Sequence, residues 1–335
     1  MCPTSAGSKP GDRGGDLNIV EYPSPNHGPR RGAPAPNLIV LHYTAMETAQ
    51  AALDRLCSEA AEVSCHYLID EAGQVFRLVS EMRRAWHAGV AAWGPIDDVN
   101  SHSIGIELAH PGHGEGGGAA GAGPPPPFPE AQIAALERLL AAIRLRWGIP
   151  AARVLGHSDV AVGRKIDPGE SFPWARLAAG GHAIWSEAET PEGMTAMLPP
   201  EASIAINAIK LGYRMPSGAE GWPDLLRALQ MRYAPDETGA AASPRLAARV
   251  AELAERHPVA TGERRSPVLP ALRDPPPAEG GARRPRGVTA TAPNAAAAAG
   301  GGSWHEALAA RGEDDGDGDD EPWSDLGPDF DLDTE

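Results

Sequence analysis

Five polar side chains stand where their types allow chemistry. They are His42 in Leu-His-Tyr-Thr, Glu107 in Gly-Ile-Glu-Leu, His157 in Gly-His-Ser-Asp, and Lys165 and Asp167 in Arg-Lys-Ile-Asp-Pro-Gly. Two imidazoles and one carboxylate make the ligand set of a catalytic zinc, which keeps its fourth position open for water. The remaining carboxylate can take a proton from that water, and the ammonium can meet a developing oxyanion. The spacing is not local as in His-Glu-x-x-His, so spacing alone is only modestly specific. Taken singly, each residue also has an ordinary reading. A strand-end His is often a surface or hydrogen-bonded group, an acid before Pro-Gly is a common turn residue, and a lone Lys is commonly solvated.

The elements around these residues predict how they are held. Asn37–His42 is a β-branched apolar run after Pro36, a buried strand. Ala45–Ala61 has apolar residues at helical spacing. Cys65–Asp70 and Gln74–Val79 flank Glu-Ala-Gly and read as a hairpin. Ser103–Ala109 alternates Ile104, Ile106 and Leu108 against Gly105 and Glu107, a strand with its acid among small residues. Pro111–Pro129 is a Gly- and Pro-rich insertion; His110 and His113, beside its Gly-rich part, read as part of an exposed polar loop rather than, with His102, a second metal site. Glu130–Trp147 is a helix stopped by Gly148 and Pro150, and Arg153–His157 a further strand. Strands alternating with helices make a mixed α/β domain over residues 32–181, a central sheet flanked by helices. Three short helical patterns, Ala202–Leu211, Pro223–Tyr233 and Ser243–Arg256, form a second unit over residues 199–258. Residues 1–31 read as a disordered arm. Residues 259–335 read as a disordered Pro/Ala/Gly-rich linker and acidic tail, because their composition buries too little apolar area to offset chain entropy.

Composition bounds the partners. The 335 residues carry a net charge of −16, but twelve of the acids lie in Glu313–Glu335, which has no Lys or Arg, leaving the body near −4. Such a body lacks the basic patch of a nucleic-acid binder. Three cysteines, Cys2, Cys57 and Cys65, form no disulfide framework. No run approaches 18 apolar residues, so no membrane span is expected. The first thirty residues hold no apolar run of signal-peptide length. A cytoplasmic protein is therefore the expectation, with the periplasm or outer membrane as the alternative if the true start lies upstream.

Six ordered stretches carry a resemblance: Asn37-Leu-Ile-Val-Leu-His-Tyr-Thr44, Ser64-Cys-His-Tyr-Leu-Ile69, Ala85-Trp-His-Ala-Gly89, Asn100-Ser-His-Ser-Ile-Gly-Ile-Glu107, Gly156-His-Ser-Asp159 and Arg164-Lys-Ile-Asp-Pro-Gly169. Over about 150 residues the chain resembles the zinc-dependent N-acetylmuramoyl-L-alanine amidases, the type-2 amidase fold shared with peptidoglycan recognition proteins. The resemblance implies one zinc per chain, held by His42, His157 and Asp167. It implies Glu107 as general base, Lys165 as the oxyanion-stabilising residue, and Trp86, with His87 beside it, lining the substrate groove. The helices at Ala205–Tyr213 and Ala228–Tyr233 resemble a three-helix peptidoglycan-binding domain.

The reaction so implied is hydrolysis of the amide between N-acetylmuramic acid, or its 1,6-anhydro form, and L-alanine, in cell-wall turnover or muropeptide recycling. The expected partner is peptidoglycan or a muropeptide, acted on by a monomer. Two alternatives are a non-catalytic peptidoglycan-recognition module of the same fold and a zinc peptidase cutting within the stem peptide. Truncation after Thr190 is expected to spare turnover of small muropeptides.

Overall fold

The computed structural model describes residues 17–114, 124–218 and 221–259. Its central sheet has six strands in the order β1–β5–β4–β7–β3–β8. They are β1 (Ile19–Glu21), β3 (Leu38–Tyr43), β4 (Tyr67–Ile69), β5 (Val75–Arg77), β7 (Ser103–Leu108) and β8 (Val154–Gly156). A separate antiparallel pair joins β2 (His27–Pro29) to β6 (Arg83–Ala85). Only β4 and β5 pair antiparallel within the large sheet, as the hairpin predicted from Glu-Ala-Gly. Its turn is set by Asp70 Oδ1, which accepts from the amides of Ala72 and Gln74, and by Gly73 at φ +84°.

The central strand β3 is buried along its whole length and lies parallel to both β7 and β8. Alternation divides its side chains between two cores. Ile39 and Leu41 join Ile104, Ile106 and Leu108 of β7 beneath helix α3 (Glu130–Trp147), meeting Ile133, Leu136, Leu140 and Ile143. Leu38 and Val40 face the other way. They share a core with Leu211, Leu229 and Val250, from helices α6 (Pro200–Leu211), α7 (Gly221–Tyr233) and α8 (Pro244–Arg256). The remaining helices are α1 (Ala49–Leu56), α2 (Val99–His102), α4 (His157–Val160) and α5 (Trp174–Ala179).

Three expectations change. The arm over 1–31 is not unstructured in its second half: β1 pairs with β5, β2 pairs with β6, and Arg30 donates to the carbonyls of Ser101 and Glu81. The helix expected over Ala45–Ala61 is confined to α1, followed by a short 3-10 turn at Glu59–Ala61. Ala45 takes a left-handed φ of +50°, and Thr48 caps the helix by accepting from the amide of Ala51, so it cannot start earlier. His110 and His113 are not in an exposed loop. His110 is buried and stacks on Phe128, and His113 meets Glu170 at 2.8 Å, tying the ends of the insertion to the segment after Asp167. The rest of the insertion, the first half of the arm and the 260–335 tail lie outside the described residues. No helix among the described residues is long and apolar enough to cross a membrane.

Candidate active site

Three adjacent parallel strands, β7, β3 and β8, bring the predicted residues to their carboxyl ends, where open α/β sheets commonly bind ligands. His42 is the penultimate residue of β3, and Glu107 that of β7. The two are register partners. By alternation both lie on the same sheet face as Leu38 and Val40. His157 opens α4 directly after β8, and the 161–167 turn returns Asp167 to it, where the Asp167 carbonyl accepts from the amide of Ser158.

Here His42 Nδ1, His157 Nδ1 and Asp167 Oδ2 form a triangle with sides of 3.0, 3.0 and 3.1 Å. All three residues are buried. The neighbouring groups decide what these atoms are. His157 Nε2 lies 3.1 Å from the carbonyl of Ala88, which is only an acceptor, so Nε2 carries the proton and a neutral ring turns a lone pair on Nδ1 inward. Burial pushes the His157 imidazole down to about 3, against the opposing pull of Asp167. Burial would raise the Asp167 carboxyl, yet His157 and His42 hold it well below its usual range. Electron-pair donors at these separations repel unless something positive lies between them. Tetrahedral bonds of about 2.0–2.1 Å set ligand atoms about 3.3 Å apart, close to the observed triangle. The donor set fits zinc.

Two buried glutamates show which carboxylate is structural. Glu81 is fully buried, and both oxygens are engaged: Oε1 accepts from Tyr67 Oη and Arg146, and Oε2 from Trp147 Nε1 at 2.6 Å. Glu107 is almost as buried, at 7 % exposure, but its Oε2 has no hydrogen-bond partner among the described residues. A buried carboxylate oxygen left unsatisfied is costly, and burial pushes Glu107 up to about 7 despite the opposing effect of His42. That is the range of a general base working near neutrality.

Glu107 and His157 open into a cleft of about 320 Å³, also lined by Thr44, Trp86, His87, Asn100 and Lys165. Lys165 is near enough to lower the Glu107 carboxyl. All seven residues singled out from the sequence thus meet at one place. Sequence reasoning missed the groups behind them. Asn100 Oδ1 accepts from the amides of both His87 and Ala88, fixing the segment that meets both imidazoles. Asp159, two residues after His157, is also buried. It accepts from the amide of Gly156, from Tyr213 Oη at 2.6 Å and from Arg232 at 3.0 Å. The acid in Gly-His-Ser-Asp was visible in the sequence; its partners, 54 and 73 residues away, were not.

The N-acetylmuramoyl-L-alanine amidase family model matches residues 31–170. N-acetylmuramoyl-L-alanine amidase AmiD of Escherichia coli K12 is 35 % identical over 186 residues, 52 % of this chain; the chain spans 65 % of that relative's length. The 1,6-anhydro-N-acetylmuramyl-L-alanine amidase AmpD of Citrobacter freundii is 30 % identical over 185 residues, half of this chain and 92 % of the relative. Among solved structures, AmpDh3 of Pseudomonas aeruginosa in complex with anhydromuramic pentapeptide is 32 % identical, with a TM-score of 0.58 over 68 % of this chain and 94 % of its own. E. coli AmiD in complex with anhydro-N-acetylmuramic acid-L-Ala-D-γ-Glu-L-Lys is 31 % identical, with the same TM-score over 68 % and 93 %.

Proposed function

Because the chain belongs to the N-acetylmuramoyl-L-alanine amidase family, we propose that it hydrolyses the amide between the lactyl group of N-acetylmuramic acid and L-alanine. The proposed substrate is a muropeptide carrying the 1,6-anhydro sugar, the chemistry named for its AmpD relatives and present in the AmpDh3 and AmiD complexes. The observation that carries this reading is a three-donor cluster whose His42 is the register partner of Glu107, a buried acid with its Oε2 unpartnered among the described residues. A non-catalytic recognition module has no use for a buried carboxylate oxygen left without a partner among the described residues.

His42, His157 and Asp167 would hold one zinc. Zinc bound there supplies Lewis acidity, lowering the pKa of a water toward ~7 and polarising the scissile carbonyl. Glu107 takes the proton of the attacking water on its unpartnered Oε2. It then gives that proton to the departing amine of L-alanine, so one carboxylate serves as base and then as acid. Lys165 faces the negative charge that grows on the carbonyl oxygen, a contact that strengthens as the tetrahedral centre forms. Trp86 and the adjoining cleft wall position the sugar and the first peptide residues.

Mass spectrometry of products from a purified anhydro-muropeptide tests the reading. We expect free anhydro-muramic acid (with its attached sugar, where present) and the intact stem peptide. No cleavage would favour a recognition module, and cleavage within the peptide would make the enzyme a peptidase.

A further inference from the structure

We propose that His87 is a positioning residue for the metal site, fixing which nitrogen of His42 faces the cluster. The inference rests on the reading of His42 as a metal ligand, and it differs from the substrate contact that the sequence suggested for His87.

The argument follows protons along a chain of short contacts. Ser103 Oγ lies 2.6 Å from the carbonyl of Val99, which can only accept, so the hydroxyl proton is committed there. His87 Nε2 lies 3.0 Å from the same Oγ and must therefore be the donor in that contact. A neutral His87 that donates from Nε2 has a bare lone pair on Nδ1. Nδ1 lies 3.0 Å from His42 Nε2, which must carry the proton it receives. His42 is then left with its lone pair on Nδ1, the atom that stands 3.0 Å from both His157 Nδ1 and Asp167 Oδ2. A serine, the third side chain out from the cluster centre, thus settles the tautomer of a ligand.

The packing holds this chain in place. Ring edges cross at 79° between His42 and His87, and the His87 backbone amide donates to Asn100. Gly105 lies beneath the His87 ring: a Cβ there would fall 2.4 Å from His87 Cγ. Gly105 shares its sheet face with Glu107, so an alanine at this position would displace His87 from His42. The two ligand imidazoles are oriented by consecutive residues, His42 by the His87 side chain and His157 by the Ala88 carbonyl. The Ala88 carbonyl also accepts from Arg164. Outer groups of this kind typically control metal affinity by about 10–100-fold.

The test is zinc affinity of the full chain by competition with a chromophoric chelator, measured for the wild type, His87→Leu and His87→Asn. Leucine removes the acceptor, and asparagine can return one through Oδ1 near the place of Nδ1. We expect His87→Leu to weaken zinc binding by about 10–100-fold, and His87→Asn to recover most of the loss. Unchanged zinc affinity in His87→Leu with a raised KM would overturn the inference in favour of a substrate contact. Equal weakening in both variants would also overturn it, since shape and not the acceptor would then matter. A measurement that needs no variant is 15N–1H correlation of the histidine rings in the zinc-loaded protein. His87 should be protonated on Nε2 and bare on Nδ1, and the opposite tautomer would overturn the inference even if His87→Leu fails to fold. If the wild type binds no zinc at all, the proposed function falls first; if it binds and hydrolyses normally while His87→Leu binds equally well, only the role of His87 falls.

Discussion

His42 and Glu107 are register partners on neighbouring parallel strands, 65 residues apart in sequence and side by side on one sheet face. That pairing places the proposed base beside a proposed ligand without any loop between them. Both side chains are held by buried strands, so their relation has little freedom to drift. Catalytic groups on rigid elements keep their geometry better than groups on loops.

Replacing Glu107 by Gln keeps the shape and removes the base. We expect zinc to be retained and turnover to fall by roughly 10²–10⁴-fold, read by elemental analysis alongside the rate. Glu107 must be ionised to accept a proton. Because burial pushes it up to about 7, wild-type turnover should fall as pH drops through and below that range. A positive ion in the cluster moves that limb lower, not higher. The remaining activity of Glu107→Gln should lack the limb.

His42→Ala and Asp167→Ala should each lose metal and activity together. Removing one of three donors costs far more affinity than a change behind them. Dialysis of the wild type against a strong chelator should abolish turnover, and one equivalent of zinc should restore it. Full turnover by metal-free protein would sink the mechanism.

Lys165→Ala should reduce kcat by about 10²–10³-fold with little change in KM, because its contact strengthens only as charge builds on the carbonyl oxygen. Zinc content should stay at the wild-type level. A raised KM with unchanged kcat would instead make Lys165 a ground-state substrate contact.

The three C-terminal helices bear on stability more than their composition suggested. Arg232 of α7 is 2 % exposed, pairs with Asp159, donates to the carbonyl of Val154 and lies 3.3 Å over the ring of Trp174. Arg232→Met leaves Asp159 buried without its cation, and such single removals commonly cost about 3–5 kcal/mol. Truncation after Thr190 would also uncover Leu38, Val40 and Leu155. We therefore expect both variants to show a lowered urea midpoint, and the truncated chain to lose small-substrate turnover together with its folded state. A truncated chain that melts as the wild type does would show the helices to be separable after all.

His66 gives a pH dependence of stability. Its Nδ1 accepts from the amide of Gly105, and Nε2 donates to the carbonyl of Arg83, so the fold holds a neutral ring. Burial, reinforced by Arg30, lowers it from 6.5 to about 3. The unfolded chain binds this proton below about 6.5 while the folded one refuses it. The contribution is thus intact above that pH and is lost as the pH falls toward 3, at up to about 1.4 kcal/mol per unit. Urea denaturation of the metal-free protein between pH 7 and 4.5 should show this slope, with His66→Gln flattening it by one proton.

Local pattern determined a great deal. The apolar run before His42, the alternation around Glu107, the Glu-Ala-Gly hairpin and the span of α3 were all legible, because each depends on periodicity and turn chemistry within a few residues. The ordered motifs pointed to the residues proposed here as ligands and base. Only the tertiary structure decided how those residues meet. Placing β3 between β7 and β8 puts Glu107 beside His42, and the turn after α4 carries Asp167 back to His157. It also decided what stands behind them: Ser103 and His87 for one imidazole, the Ala88 carbonyl for the other, and Arg232 and Tyr213 on Asp159. The short strands β1 and β2 escaped a reading by composition because few apolar residues mark them and their hydrogen bonds go to strands more than fifty residues away. Periodicity reports which face an element buries; which neighbour covers that face is settled by long-range pairing, and the proton positions in the site follow from those neighbours.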